Sequence, residues 1–339
     1  MTKICVFGAG AIGSYIAHSL SKAGAKVSLI ARGEHLKAIN KNGLTLIKDG
    51  KSETINFIAS DDPKDLGVQE YIIITLKAHS IPPIVNNFSP LINDKTSIVT
   101  ALNGIPWWYF YEANSKTSME NYWLETVDPK GKQWKYFGPE KAIGCVVYPA
   151  CEIIEPGTVK HFSGDRFSLG EPKSGNSERV KKLSQIFING GLRAPIKNKL
   201  RDEIWIKILG NCSFNLVSAL TGATLDQIGN DNSSRKVITE MMNECREVGT
   251  AVGAEFKISI EKRIDGATSI VGHKPSTRQD IENSRYLELD AIICSVLEIA
   301  RKCNVLTPTL DTIASLSRLQ GEILGLYQRS DEIEKIIRN

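Results

Sequence analysis

Through roughly the first 170 residues, short runs of apolar β-formers alternate with segments whose apolar positions recur at helical spacing. ICVFGAG, KVSLIAR, YIIITLK, SIVTALNG and AIGCVVYP are each flanked by polar stretches and read as strands buried on both faces. Alternation of such strands with helices predicts an α/β architecture built on a doubly wound parallel sheet. GDRFSLGEP, at 164–172, reads as a closing edge strand and turn. Beyond about residue 196 the strand pattern stops. Helices are predicted over 199–220, 232–254, 276–303 and 309–326, the last opened by TPTLD. The chain therefore divides into an α/β domain over 1–197 and an all-helical domain over 198–339, joined near the polar, proline-bearing LRAPIKNKLRDE.

Composition narrows the function classes. The 339 residues are 42% hydrophobic and 24% charged, enough for two substantial cores and unlike a disordered chain. A net charge of +4 without a basic block argues against a nucleic-acid partner. The seven cysteines, at 5, 145, 151, 212, 245, 294 and 303, form no CxxC pair, which suits reduced thiols better than a disulfide framework or zinc site. No metal is expected. MTKICVFGAG lacks a signal-peptide pattern, and the longest uncharged runs, such as 208–225, hold Asn, Ser, Thr and Gly and make poor membrane spans. A cytoplasmic protein without a membrane partner is expected.

Chemistry first appears at VFGAGAIG. Gly8, Gly10 and Gly13 have G-x-G-x-x-G spacing, directly after an apolar strand and before the helical SYIAHSLSKAG. The first glycine permits the tight turn, the second lets a pyrophosphate approach the backbone, and the third lets helix and strand pack closely. Gly8, Ala9, Gly10, Ala11, Ile12 and Gly13 are thus candidate cofactor residues of a Rossmann-type domain; the alternative is a Gly-rich turn with no ligand. Where an NAD enzyme places an acidic residue for the ribose, this chain has Arg32, whose planar guanidinium suits a 2′-phosphate and favours NADPH. The alternative leaves Arg32 solvated and gives the ribose to Glu34. Lys77 in ITLKA and Asn103 in VTALNG stand at the ends of successive strands, where ligands bind in such sheets.

EIWIKILGNCSFNLVSAL, at 203–220, reads as a buried helix, yet Lys207, Asn211 and Asn215 recur every four residues along one face. They are either a snorkelling lysine with two backbone-bonded asparagines, or a cleft-facing proton donor with amides that orient a polar substrate. A second patch, GHKPSTRQDIENSRYLELDAI, places Ser276, Gln279 and Asp280 near a helix start and Glu288 among apolar residues. Ser276 could serve only as an N-cap. Asp280 and Glu288, eight apart, are expected on roughly one helical face.

In order and spacing, GAGAIG, ARG, TLKA, LNG, EIWIKILGN with FN, and S-x-x-QDI followed by LELDA resemble the ketopantoate reductases (2-dehydropantoate 2-reductases) over nearly the whole chain. The resemblance implies NADPH-dependent reduction of a 2-keto acid to a 2-hydroxy acid, as in pantothenate biosynthesis. It makes Lys207 the general acid, Asn211 and Asn215 the residues holding substrate, and Ser276 the contact to the carboxylate end. Asn103 would touch cofactor and substrate, Glu288 would lie by the ribose and the reacting hydroxyl, and Ala150, in VVYPA, would make a backbone contact near the nicotinamide. The implied partner is a small 2-keto acid, with a second copy of the chain as candidate protein partner.

This chain departs from the family pattern in three places. The usual S-M-L-Q-D reads Ser276-Thr277-Arg278-Gln279-Asp280, and His273 stands where family members carry an asparagine. The segment Trp107–Gly138 is longer than in compact members and opens with PWWYFY, either a roof over the active site or a surface subdomain or dimer contact. Two competing functions are a related hydroxyacid dehydrogenase with another keto acid, and a non-enzymatic NADP sensor. The intact Lys207, Asn103 and Glu288 argue against a sensor.

Overall fold

The computed structural model describes residues 1–113 and 119–338; residues 114–118 of the aromatic insert and residue 339 lie outside the described residues. Two compact units emerge, one formed by Met1–Leu102 and Lys132–Leu200, the other by Asn103–Gly131 and Arg201–Asn339. The expected aromatic insert is thereby divided. Residues 103–131 join the helical unit, whereas the helix Lys132–Phe137 packs in the first, with Phe137 edge-on to Phe88 at 5.1 Å.

In the first unit the predicted runs become strands Lys3–Phe7, Lys26–Ile30, Tyr71–Ile74, Ser97–Thr100 and Ala142–Val147. Across the sheet the order is Phe167–Gly170, Ala142–Val147, Ser97–Thr100, Tyr71–Ile74, Lys3–Phe7, Lys26–Ile30 and Ile58–Ser60. All neighbours pair in parallel except Phe167–Gly170, the antiparallel edge strand foreseen in GDRFSLGEP. Ile4, Val6, Ile72, Ile73, Ile98 and Val99 are fully buried, which is why the strands are continuous apolar runs rather than alternating ones. From Lys3–Phe7 the chain first builds outward on one side, to Lys26–Ile30 and Ile58–Ser60. It then crosses to the other side with Tyr71–Ile74, so the order reverses beside the strand that feeds the glycine loop.

A second sheet was not anticipated. Its order is Lys51–Ile55, Leu44–Lys48, Thr158–Ser163, Ala150–Glu155. Its first two strands are a hairpin turning at Asp49 and Gly50, both with positive φ (51° and 74°), as a tight two-residue turn requires. The Asp-Gly pair was a legible signal, but only Leu44–Lys48 buries apolar residues, whereas Lys51–Ile55 is largely exposed and gives no apolar run.

The regular elements of the second unit are all helices among its described residues, joined by loops and by the largely non-helical segment 103–131. Asn232–Ala251 and Pro308–Ile323 match expectation, while Leu225–Asn230, Ile260–Thr268 and Asp331–Arg338 are additional. The single helix expected over 199–220 is two, Leu200–Cys212 and Phe214–Thr221. At the break, Ser213 Oγ donates to the Leu209 carbonyl at 2.6 Å, competing with the backbone ladder. Leu200–Thr221 is long and apolar enough to cross a membrane, but 67% of its apolar window is buried inside the protein, as for a core helix.

The long helix expected over 276–303 is likewise broken, into Ser276–Glu282, a π-helical turn Asp290–Cys294, and Ser295–Cys303. Ser284, at φ 51°, ends the first piece. Asp280 and Glu288 therefore do not share a helical face; the expectation assumed continuous helix through residues 283–288, which are not helical.

The aromatic run is core. Trp107, Trp108, Tyr109 and Phe110 are each no more than 2% exposed, so these four side chains pack as core rather than as an exposed aromatic patch. Tyr109 accepts a 2.7 Å hydrogen bond from Trp205 Nε1, and its carbonyl accepts one from Arg201 Nε at 2.7 Å. The fully buried Glu298 anchors the following residues. Its carboxylate accepts from Tyr122 Oη (2.9 Å), Glu125 N (3.0 Å), Thr126 N (2.9 Å) and Thr126 Oγ1 (2.7 Å).

Candidate functional site

The glycine loop shows three glycines doing three jobs. Gly8 has φ 109°, open to glycine at little cost, and its N–H and that of Ala9 both donate to the Ile30 carbonyl, at 3.1 and 2.9 Å. A Cβ on Gly13 would lie 2.2 Å from Gly8 O and 2.5 Å from Thr75 Oγ1, so helix and strand touch there. A Cβ on Gly10 would meet nothing within 4 Å, leaving clear space above the loop. Gly10 is also the N-cap of Ala11–Lys22, which has no side-chain cap and no acidic residue in its first turn. Ala11 and Ile12 are half-buried at that helix start, and Ala9 is buried. Unoccluded backbone at a positive helix end fits the pyrophosphate of a dinucleotide.

Arg32 lies exposed at the end of Lys26–Ile30, as N-cap of the helix Gly33–Asn42, and no ion pair engages it among the described residues. Glu34, the alternative ribose contact, pairs with Lys37 at 2.8 Å in full exposure. Lys77 is half-buried just after Tyr71–Ile74. Burial, and then the Lys77 charge, push His79 down to about 4, so its ring is neutral at physiological pH. Ala150 opens the edge strand Ala150–Glu155, opposite Ser163. Thr75 was missed: its Oγ1 donates to Gly8 O at 2.5 Å and fixes the turn. The signal was the polar residue inside ITLKA, level with the first glycine.

The second unit holds the polar row. Lys207 and Asn211 sit one turn apart on Leu200–Cys212, both half-buried. Asn215, 8% exposed, points its Nδ2 to Asn211 Oδ1 at 3.5 Å and to Ser276 Oγ at 3.4 Å. These contacts are long for hydrogen bonds, so the three polar groups are adjacent without saturating one another. Ser276 is exposed and is the first residue of its helix; the N-cap is Pro275. The purely capping reading of Ser276 thus fails.

The π-helical turn ties the remaining candidates together within the same unit. Gly104, at φ 86°, lies so close to it that a Cβ would stand 2.1 Å from Ala291 O, and Ile105 N donates to that carbonyl at 3.0 Å. This fixes the loop carrying the half-buried Asn103. Cys212 Sγ donates to Ile292 O at 3.3 Å, securing the helix that carries Lys207 and Asn211. Ile292 N donates to Glu288 O at 3.1 Å, placing Glu288 one turn ahead. π turns inside helices recur at functional sites. Of the departures from the family pattern, Arg278 is largely buried and pairs with Glu282 at 2.9 Å, and burial holds His273 below its ordinary value.

Residues 4–174 match the family described as ketopantoate reductase PanE/ApbA, and residues 199–320 match its C-terminal counterpart. A 2-dehydropantoate 2-reductase of Mesorhizobium japonicum is 44% identical over 96% of this chain and 99% of its own. The crystal structure of a putative ketopantoate reductase from Ralstonia solanacearum superposes with TM-score 0.91 at 35% identity, covering 96% of this chain and 99% of that one. A 2-dehydropantoate 2-reductase structure from Geobacter metallireducens, 24% identical, covers 94% and 99% with TM-score 0.82 and supports the fold.

Proposed function

Because the chain belongs to the ketopantoate reductase family, we propose that it reduces a 2-keto acid, 2-dehydropantoate foremost, to the 2-hydroxy acid with NADPH. The observation that carries this reading is the row Asn211–Asn215–Ser276, one helical turn beyond Lys207. When bound, NADPH supplies the hydride that the keto carbon receives. Gly8, Ala9 and Gly10 shape the turn against which its pyrophosphate lies, and the backbone N–H groups of Ala11, Ile12 and Gly13 at the helix end face the anion, with Lys77 and the Ala150 backbone as further contacts. Ser276 and the two asparagines orient the substrate carboxylate and chain, and Asn103 contacts both ligands. As negative charge grows on the keto oxygen, Lys207 Nζ stabilises it and transfers a proton there, while Glu288 accepts a hydrogen bond from the forming hydroxyl.

NADPH oxidation measured against branched, aromatic and dicarboxylic 2-keto acids tests the reading. A preference for 2-dehydropantoate supports it, and absence of turnover with every 2-keto acid refutes it. A preference for another acid would favour a related hydroxyacid dehydrogenase, the reading that the largely buried Arg278 keeps in play.

Arg32→Ala should weaken NADPH by about 1.5–2 kcal/mol, roughly ten- to thirtyfold, the worth of a charge-assisted contact at an exposed site. NADH should be affected less than twofold, because it lacks the phosphate. Fluorescence titration of both cofactors checks this, and equal losses would release Arg32 from the role.

A cytoplasmic location and self-association complete the proposal. The first is supported by seven free cysteines, and the second by the exposed aliphatic cluster Leu316, Leu319, Ile323 and Leu324. Light scattering should give twice the chain mass, and Leu319→Glu/Ile323→Glu should return the monomer.

A further inference from the structure

Glu288 stands in a short non-helical stretch, so something other than a helix must fix it. The strap between Pro308–Ile323 and Asp331–Arg338 runs alongside. Leu287 N donates to Leu326 O at 2.8 Å, and Gln328 N donates to Tyr286 Oη at 3.1 Å. Tyr327 Oη donates to Asp290 Oδ1 at 2.5 Å. Glu288 is thus bracketed by ties at residues 286, 287 and 290, all to three consecutive strap residues.

The strap is itself rigidly seated. A Cβ on Gly321 would lie 2.7 Å from Tyr327 Cβ and 3.2 Å from Leu287 Cδ1, so helix, strap and the Glu288 stretch meet at a position open only to glycine. Arg318, 2% exposed, donates through Nε to Tyr327 Oη at 3.3 Å and pairs with Glu334 on the last helix. Burial raises the Asp290 carboxyl above its usual range, opposed by the Tyr327 hydrogen bond and the Arg318 charge. The phenol, 4% exposed, therefore has a polar partner on either side and little freedom.

We propose that Tyr327 is a positioning residue: by holding Asp290 at the first π-helical residue, it sets where Glu288 presents its carboxylate. The proposal rests on the reading of Glu288 as a site residue. Asp290 is the hinge point, since the turn it opens also receives the Asn103 loop and the Lys207 helix. Loss of the phenol hydroxyl frees that point while the apolar ring still fills its place.

The test is a double-mutant cycle of Tyr327→Phe with Glu288→Gln, read as kcat, KM for both substrates and melting temperature. Tyr327→Phe should lower kcat about tenfold with KM for NADPH within twofold. In the Glu288→Gln background the same change should cost less than twofold, because the group it positions is already disabled. Equal losses in both backgrounds, or an unchanged kcat, overturn the proposal. Wild-type kcat in Glu288→Gln alone would instead retire the underlying site reading, and the proposal with it. Should Tyr327→Phe fail to fold, Tyr327→Phe/Asp290→Leu removes the Asp290 acceptor along with its donor while Arg318 keeps its pair with Glu334, and the same kcat pattern is expected.

Discussion

Lys207→Ala should lose at least about 10²-fold in kcat while binding NADPH almost as tightly as the parent chain. A positioned general acid contributes ~10²–10⁴-fold, and alanine leaves no group that can donate a proton from this face of the helix. Cofactor affinity should survive because the glycine loop and Arg32 belong to the other unit. The fold should survive as well: Lys207 is half-buried, and the packing of its helix rests on Trp205, Ile208 and Leu209, each at most 1% exposed. Single-turnover measurements separate the two steps. Retention of more than a tenth of parental kcat would move the acid elsewhere, with Glu288 the first group to examine. Lys207→Arg should rescue poorly, since a guanidinium keeps its charge and gives up no proton.

Glu298→Ala should be the most destabilising single change in the helical unit. Four donors converge on this fully buried carboxylate, two of them backbone N–H groups that cannot reach another acceptor when it is removed. Each orphaned buried donor costs about 1–3 kcal/mol, so a loss of about 3–5 kcal/mol is expected. For a unit of this size that lowers the melting temperature by roughly 6–20 °C in calorimetry. Glu298→Gln keeps an acceptor and should recover part of it. Equal melting temperatures for alanine variant and parent would mean that the segment 119–131 is held by its apolar contacts alone.

The strands were legible because burial on both faces leaves mostly apolar residues between polar connections, as in YIII. Gly8, Gly10 and Gly13 were legible for a different reason: backbone requirements act on residue identity directly, seen here as the positive φ of Gly8 and the close helix–strand contact at Gly13, while Gly10 leaves open space above the loop. What stayed hidden depends on single hydrogen bonds. The break at Ser213 comes from one hydroxyl turning back on Leu209, and nothing in the apolar period around it announces this. The turn at Ser284 is similar, a non-glycine residue at positive φ inside a stretch whose apolar spacing continues past it. Lys207, Asn211 and Asn215 were found by period alone, but Ser276 reached the row only through resemblance, since sixty-one residues separate it from Asn215. Thr75 and Tyr327 escaped because their partners are a carbonyl and a distant carboxylate, which leave no trace in a local pattern.

The detour of residues 103–131 into the helical unit has a consequence at the ribosome. Glu125 and Thr126 wait for a carboxylate that lies 173 and 172 residues downstream. At about 5–20 residues per second, that is roughly ten to thirty seconds of synthesis during which Trp107, Trp108, Tyr109 and Phe110 have no completed core to enter. The partners for Tyr109, Arg201 and Trp205, emerge earlier, so the aromatic run gains its first shelter well before Glu298 closes the remainder. A nascent chain stalled between residues 131 and 200 therefore displays its stickiest stretch without cover. It should be the length most readily captured by a chaperone that binds exposed aromatic segments.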